Sequence, residues 1–278
     1  MTSEESDRIL RAALEEDLAE AGDITSQATV EAEAVASAIV VARSPGCIAG
    51  IDLALRVFQI VDDGLAIEAS VDDGAVVPAG ARLGRVTGRA RSLLAAERVA
   101  LNFLAHLSGV ATATRALVDR VEGTGATIME TRKTTPGLRV LEKMAVRAGG
   151  GRNHRLGLFD AVLIKDNHIA AVGSVGEAVR KARAHVGDDI RVEVEIDRID
   201  QLEDAITAGA DIVMLDNMAP DELRAAVQLI DGRCLTEASG RITLETVRAV
   251  AETGVDMISV GWITHSAPAL DVALDFEA

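Results

Sequence analysis

The chain has 278 residues, enough for one α/β barrel or two domains, and its 49% hydrophobic content supports a buried core and excludes a disordered chain. Its net charge is −16, only five residues are Phe or Trp, and no basic stripe is interleaved with aromatics, which argues against a nucleic-acid partner. The longest apolar run, 34–42, is about half of what a bilayer span needs, and the acidic start does not read as a signal sequence, so the expectation is a cytoplasmic protein with no membrane partner.

Ser3 is expected to cap a first amphipathic helix, with Ile9, Leu10, Ala13, Leu14 and Leu18 at helical spacing and Gly22 as its stop. Strand-like alternation follows at 37–43 and at 65–71, separated by a helical segment over 51–61 and punctuated by turns at 62–64, 72–74 and 77–80. A long helical zone runs from about Arg91 to Arg120. This half predicts antiparallel strands with helices. From Ala126 the rhythm changes to strand, loop and helix in repetition, with candidate strands at 126–130, 161–165, 191–196, 211–215, 234–238 and 256–260. That alternation predicts a parallel sheet, either doubly wound or a barrel with fewer than the usual eight strands. Cys47 and Cys234 stand far apart without a metal or disulfide pattern and read as small core residues.

The four lysines of the chain are Lys133, Lys143, Lys165 and Lys181. Between Arg132 and Lys165 eight cationic residues face only Glu142 and Asp160, so this stretch carries +6 while the rest of the chain carries −22. Such a concentration predicts a pocket for a small, multiply anionic ligand. A mixed-charge exposed helix accounts for Arg139, Lys143 and Arg147, but not for the cations placed among Gly, Thr, Asn and His at strand ends.

Polar residues gather at the carboxyl ends of the candidate strands: Arg132 and Lys133, Lys165, Glu195, Asp216, Ser239 and Gly240, then Gly261. In parallel α/β folds that is the ligand-binding face. Glu195 and Asp216 on neighbouring strand ends suit a cation such as Mg²⁺ together with substrate phosphate oxygens. Glu193 and Glu195 share one side of their strand, and an exposed edge strand would look the same; Asp216 could simply cap the next helix or turn. The glycine turns ASGRIT and SVGWIT would offer backbone N–H groups to a phosphate. His154 lies between Arg152 and Arg155 after three glycines, His168 reads equally well as a structural histidine, and His106 and His265 have no supporting context.

The motifs ETRKTTPG, GGGRNHR, LIKDNH, VEVE, LDN, EASG and ISVG stand in the order found in quinolinate phosphoribosyltransferases, and GDITS with the segment 97–109 resembles the amino-terminal domain of that family. The resemblance covers nearly the whole chain. It implies an α/β fold: an amino-terminal α/β sandwich (α+β) over 1–108, joined by the tail 266–278, and an incomplete α/β barrel over 109–265. It implies transfer of phosphoribosyl from phosphoribosyl pyrophosphate to quinolinate with decarboxylation, giving nicotinate mononucleotide, carbon dioxide and pyrophosphate. The expected cofactor is Mg²⁺ with no organic cofactor, and the expected assembly is a homodimer, or a higher even oligomer, with shared active sites.

By the same resemblance, the quinolinate carboxylates would meet Arg98 of the partner subunit, Arg132, His154, Arg155 and Lys165. Thr131 and Lys133 would also bind substrate, Lys133 between the two. Glu195 and Asp216 would organise the Mg²⁺-bound pyrophosphoryl ribose, and Ser239, Gly240, Val260 and Gly261 the 5′-phosphate. Lys133, Glu195 and Asp216 are the expected catalytic residues. Met144, Arg241 and Trp262 depart from the pattern of the family. Three other readings are an aldolase-like Schiff base on Lys165 or Lys133, a related transferase using nicotinate, and a non-catalytic anion-binding module.

Overall fold

The computed structural model describes residues 3–277, so the expected Ser3 cap falls on a side chain outside those described. The chain divides into two compact units, one formed by Met1–Ala113, Val140–Gly150 and Ser266–Ala278, the other by Thr114–Arg139 and Gly151–His265.

In the first unit α1 (Ser3–Leu18) and α2 (Ile24–Thr29) precede β1 (Val35–Ala42), β2 (Gly46–Cys47), α3 (Ile51–Val61), β3 (Ala66–Ala69), β4 (Val76–Val77) and β5 (Arg82–Arg89). Then comes α4 (Ala90–Val121), 32 residues long. The main sheet is antiparallel, with β1 paired to β5, β5 to β3, and the chain's final strand, Val272–Phe276, added beside β1. Leu93, Leu104 and Leu107 on α4 and Phe58 on α3 are fully buried, the helical periodicity placing them on core-facing stripes. Gly109 on α4 allows a close approach, since a Cβ there would lie 2.2 Å from the carbonyl oxygen of Pro268.

The second unit follows the predicted rhythm. Its strands are β6 (Thr127–Met129), β7 (Val162–Ile164), β8 (Val192–Ile196), β9 (Ile212–Asp216), β10 (Leu235–Ser239) and β11 (Met257–Ser259). They form one parallel sheet in the order β6-β11-β10-β9-β8-β7, an incomplete barrel with β6 and β7 at its edges. Strand β8 is thus internal, which removes the edge-strand reading of its glutamates. Val192, Val194 and Ile196 are buried on one face, so alternation commits Glu193 and Glu195 to the other.

Between β6 and β7 lies α5 (Arg139–Ala148), whose residues from Val140 onward belong to the first unit. It is not an exposed charged helix. Lys143 is 3% exposed and Glu142 is fully buried, its Oε1 lying 2.8 Å from Nε2 of His106.

One polar contact ties several elements of the first unit together. The Asp62 carboxylate, at the end of α3, accepts hydrogen bonds from Arg89 Nε at 2.8 Å, Ser92 Oγ at 2.7 Å and the Gly64 backbone N–H at 3.1 Å. The Arg89 bond first, and Ser92 second, hold this carboxyl well below the usual range. Asp62→Asn should destabilise the protein by about 2 kcal/mol at neutral pH. Because the folded-state value is depressed, that contribution is fully present above the unfolded-state value near 4 and shrinks as pH falls below it. Denaturant melts of wild type and variant should therefore converge on acidification, and a gap unchanged down to pH 2 would exclude this account.

Candidate active site

The register of the parallel strands stacks the inward side chains into rows. Glu195 pairs with Met214 and Met214 with Glu237, while Ser239 pairs with both Asp216 and Ser259 in the next row toward the carboxyl ends. These rows line a cavity of about 720 Å³ at the mouth of the barrel. Of the expected site residues, Thr131, Arg132, Lys133, His154, Arg155 and Lys165 line it, and so do Glu195, Asp216, Ser239, Gly240, Val260 and Gly261. Arg98 is not among the lining residues. It sits exposed on α4, its guanidinium 3.9 Å from Glu97.

Arg132 and Arg155 form the cationic end. Their Nε atoms are buried and neither has a hydrogen-bond partner. Burial first, then the charge of Arg132, lower the Arg155 guanidinium from its ordinary value. Two like charges held together with unpaired buried donors form an arrangement that an anion completes. Arg155 is aimed by a bond from Nη1 to the Ala161 carbonyl at 3.1 Å.

Lys165 forms an ion pair with Glu195 across the cavity wall. It also opens α6 (Asp166–Val172), where its backbone N–H donates to His168 Nδ1 at 2.9 Å. His168 is therefore structural, fixing the turn that presents Lys165. Lys133 is held by its backbone: its N–H donates to Thr131 Oγ1 at 3.0 Å and its carbonyl accepts from Thr264 Oγ1 at 2.9 Å. Its side chain runs over Gly261, where a Cβ would lie 3.1 Å from Lys133 Cδ.

His154 is set differently from the cations. Nδ1 accepts the Arg155 backbone N–H at 2.7 Å, so the ring hydrogen resides on Nε2, 3.2 Å from Glu193 Oε2 and 3.6 Å from Glu237 Oε2. Its backbone N–H donates to Glu130 Oε1 at 3.0 Å. Both ring nitrogens thus face protein groups, and the imidazole joins Arg155 to the buried glutamates of the floor.

Asp216 does not cap a helix. Its Oδ2 accepts from Asn217 Nδ2 at 2.6 Å, and Asn217, at φ 55°, donates its N–H to the Ser239 carbonyl. Beside it Gly240 has φ 103°, and Arg241 follows at φ 52°. Trp262 donates its indole N–H to the Ile242 carbonyl at 3.0 Å, pinning the turn after β10. Arg241 and Trp262 both line the cavity, so these departures from the family pattern fall within the site.

Several lining residues stand in or beside the motifs of the family yet were given no role from the sequence. Glu237, Ser259, Asn217 and His265 are among them. Glu237 could have been found, since it stands two positions before Ser239 and so shares its inward face. His265 closes a helix of four residues, Trp262–His265, whose place depends on the strand before it.

A barrel mouth lined by a cationic pair, carboxylates and glycine turns defines an enzyme site for small, multiply anionic substrates. Residues 110–275 match the family model for the quinolinate phosphoribosyl transferase C-terminal domain, and residues 23–108 match that for its N-terminal domain. The chain belongs to the quinolinate phosphoribosyl transferase family. It is 49% identical over 271 residues to the nicotinate-nucleotide pyrophosphorylase [carboxylating] of Mycobacterium leprae, covering 96% of this chain and 95% of that one. It is 46% identical to a probable enzyme of the same name from Bacillus subtilis, over 91% of this chain and 88% of the relative. The structure of the nicotinate-nucleotide pyrophosphorylase from Francisella tularensis superposes with a TM-score of 0.95 at 42% identity, covering 100% of this chain and 98% of the other.

The turn at Gly240 offers a local test. A Cβ there would lie 2.3 Å from Asn217 Oδ1, in a backbone region that side chains rarely adopt. Gly240→Ala should cost roughly 1–3 kcal/mol of stability and weaken calorimetric binding of inorganic phosphate. Unchanged stability and phosphate binding would show that this turn is not held as described.

Proposed function

We infer that this chain transfers the phosphoribosyl group of phosphoribosyl pyrophosphate to quinolinate with loss of carbon dioxide, yielding nicotinate mononucleotide and pyrophosphate, as in de novo NAD biosynthesis. The observation that carries this reading is the pair of buried, unpartnered Nε donors of Arg132 and Arg155 in a cavity that also presents Lys165 and Lys133. A pyridine dicarboxylate supplies two anionic groups for those cations. Each opposed pair at about 4 Å contributes roughly 4 kcal/mol at an effective dielectric near 20, before desolvation. A monocarboxylate would leave part of this charge unmatched.

Quinolinate is assigned to the end formed by Arg132, Arg155 and Lys165, with His154 holding the Arg155 backbone and Arg98 completing the site from the partner subunit of a homodimer. Phosphoribosyl pyrophosphate is assigned to the opposite end. There Ser239, Gly240, Val260 and Gly261 would surround the 5′-phosphate, and Lys133 with Thr131 would stand between the substrates. Glu195 and Asp216 fit Mg²⁺, because they are two carboxylates on adjacent strand ends open to the cavity, leaving coordination positions for substrate oxygens. Bound there, Mg²⁺ would neutralise pyrophosphate charge. No organic cofactor is required.

The ring nitrogen of quinolinate attacks the ribose C1 as pyrophosphate departs. Positive charge develops on the ribose ring, and the carboxylates of Glu195 and Asp216 stabilise it. Lys133 offers its ammonium to the departing oxygens. Binding of a dicarboxylate at Lys165 draws that lysine from Glu195, freeing the carboxylate for the other substrate. The product pyridinium is an electron sink beside the 2-carboxylate, so decarboxylation needs no further activator.

Lys133→Ala and Lys165→Ala should each remove most quinolinate-dependent release of carbon dioxide and pyrophosphate while leaving the circular dichroism spectrum unchanged. Near-normal turnover in either variant would defeat this assignment. Release of neither product from quinolinate by wild type, together with borohydride trapping of a carbonyl substrate, would favour the Schiff-base reading instead.

The shared-site arrangement has its own test. Arg98→Ala and Lys165→Ala homodimers should both be nearly inactive. Unfolded together and reassembled at random, about half of the dimers are mixed, and each then has one site with both lesions and one with neither, so roughly a quarter of all sites recover. Verified mixed dimers without recovery would show that Arg98 acts within its own chain or that the two sites do not function independently.

A further inference from the structure

The decarboxylation leaves an electron pair on C2 of the pyridinium that must take up a proton, and none of the residues assigned above supplies it. Lys133 and the arginines are committed to anions, and His154 spends both ring nitrogens on the protein. The floor of the cavity contains one further acid. Glu237 lines it and is fully buried on β10, one turn of alternation below Ser239. Glu193 faces it from β8, His154 from the loop before β7, Ser259 from β11 and the neutral Met214 from β9. Neither Glu237 oxygen makes a well-formed hydrogen bond, although Ser259 and Glu193 lie alongside. A buried carboxylate pair of this kind does not hold two full charges, and one member keeps its proton.

We propose that Glu237, as the neutral acid, delivers the proton to C2 when carbon dioxide leaves, making it a further catalytic residue of the reaction assigned above. The balance is complete without another reactant. The C2–carboxylate bond breaks, its electron pair remains on C2, the Glu237 O–H proton forms the C2–H bond, and the Glu237 carboxylate regains a proton from water before the next turnover. Burial first, and the Glu193 charge second, push Glu237 up to about 7, so the acid form is substantially populated at neutral pH. His154, on the other side of the Glu237 carboxyl, acts in the opposite direction and draws it down.

The test separates the two chemical steps by rapid quench, following pyrophosphate and carbon dioxide in one turnover. In Glu237→Gln, pyrophosphate release should stay within about threefold of wild type while carbon dioxide release slows by roughly 100-fold, with quinolinate mononucleotide accumulating. Equal slowing of both steps, or of neither, overturns the proposal. If wild type itself releases no pyrophosphate from quinolinate, the functional reading fails rather than this inference alone. Should Glu237→Gln not fold, the pH profile of the carbon dioxide step decides. Donation by an acid form predicts a fast step at low pH that falls as pH rises through about 7, and Glu193→Gln should move that fall to lower pH. A flat profile, or a fall that Glu193→Gln leaves in place, also overturns it.

Discussion

Charge held out of water is the constraint on which this site depends. The barrel interior, filled by apolar layers in most such folds, here carries Glu193, Glu195 and Glu237 on inward positions, with Arg132, Arg155 and Lys165 around them. An unpaired charge in such a place costs several kcal/mol, so each has to find an opposite or give up its proton. Lys165 and Glu195 pair, and Glu237 is held as an acid by burial. Arg132 and Arg155 keep unmatched Nε donors, an imbalance that an anionic substrate would satisfy under the proposed function.

The backbone makes this affordable at neighbouring positions. Val192, Val194 and Ile196 occupy the other face of β8 and are buried there, so the strand is anchored by apolar packing that does not involve the glutamates. The same division holds on β9, where Val213 and Leu215 are fully buried while Asp216 opens to the cavity. Function and stability therefore sit on opposite faces of the same strands. A substitution on one face can be read without much reference to the other, except at the turns, where Gly240 and Asn217 serve both.

The strands of the second unit were legible because strands buried on both sides read as short apolar runs between turn residues, and all six lie within a residue or two of the positions the sequence predicts. The first unit was harder. Strand β5, RLGRVTGR, pairs with both β1 and β3, yet its two glycines and three arginines obscure the alternation, and its place is fixed by partners far along the chain. α2 is too short to show a period. At the site, lysine scarcity and glycine turns pointed to the cations and to the Ser239–Gly240 and Val260–Gly261 turns that line the cavity. Lys143 shows the limit of that logic, because it shares the basic segment but is buried on α5 within the first unit. Glu237 and Ser259 stood inside EASG and ISVG but were given no role, because a single acid or hydroxyl inside an apolar strand looks like an isolated exception until the register places it over a cavity.

The charge distribution of the whole chain bears on the same site. With −22 outside the basic segment the chain as a whole repels dianions, and the cations Arg132, Lys133, Arg155, Lys165 and Arg241 line the cavity as a local exception. At physiological ionic strength this field is screened within about 8 Å, so it acts as selection at the entrance rather than as long-range steering. Inside, where screening fails, Arg132, Arg155 and Lys165 line the cavity and, under the proposed function, would meet the anionic groups of the substrates. The acidic exterior and the cationic pocket therefore work together: the first keeps weakly bound anions from accumulating elsewhere, and the second leaves the strongest electrostatic gain for a ligand whose charges match the spacing of the cations.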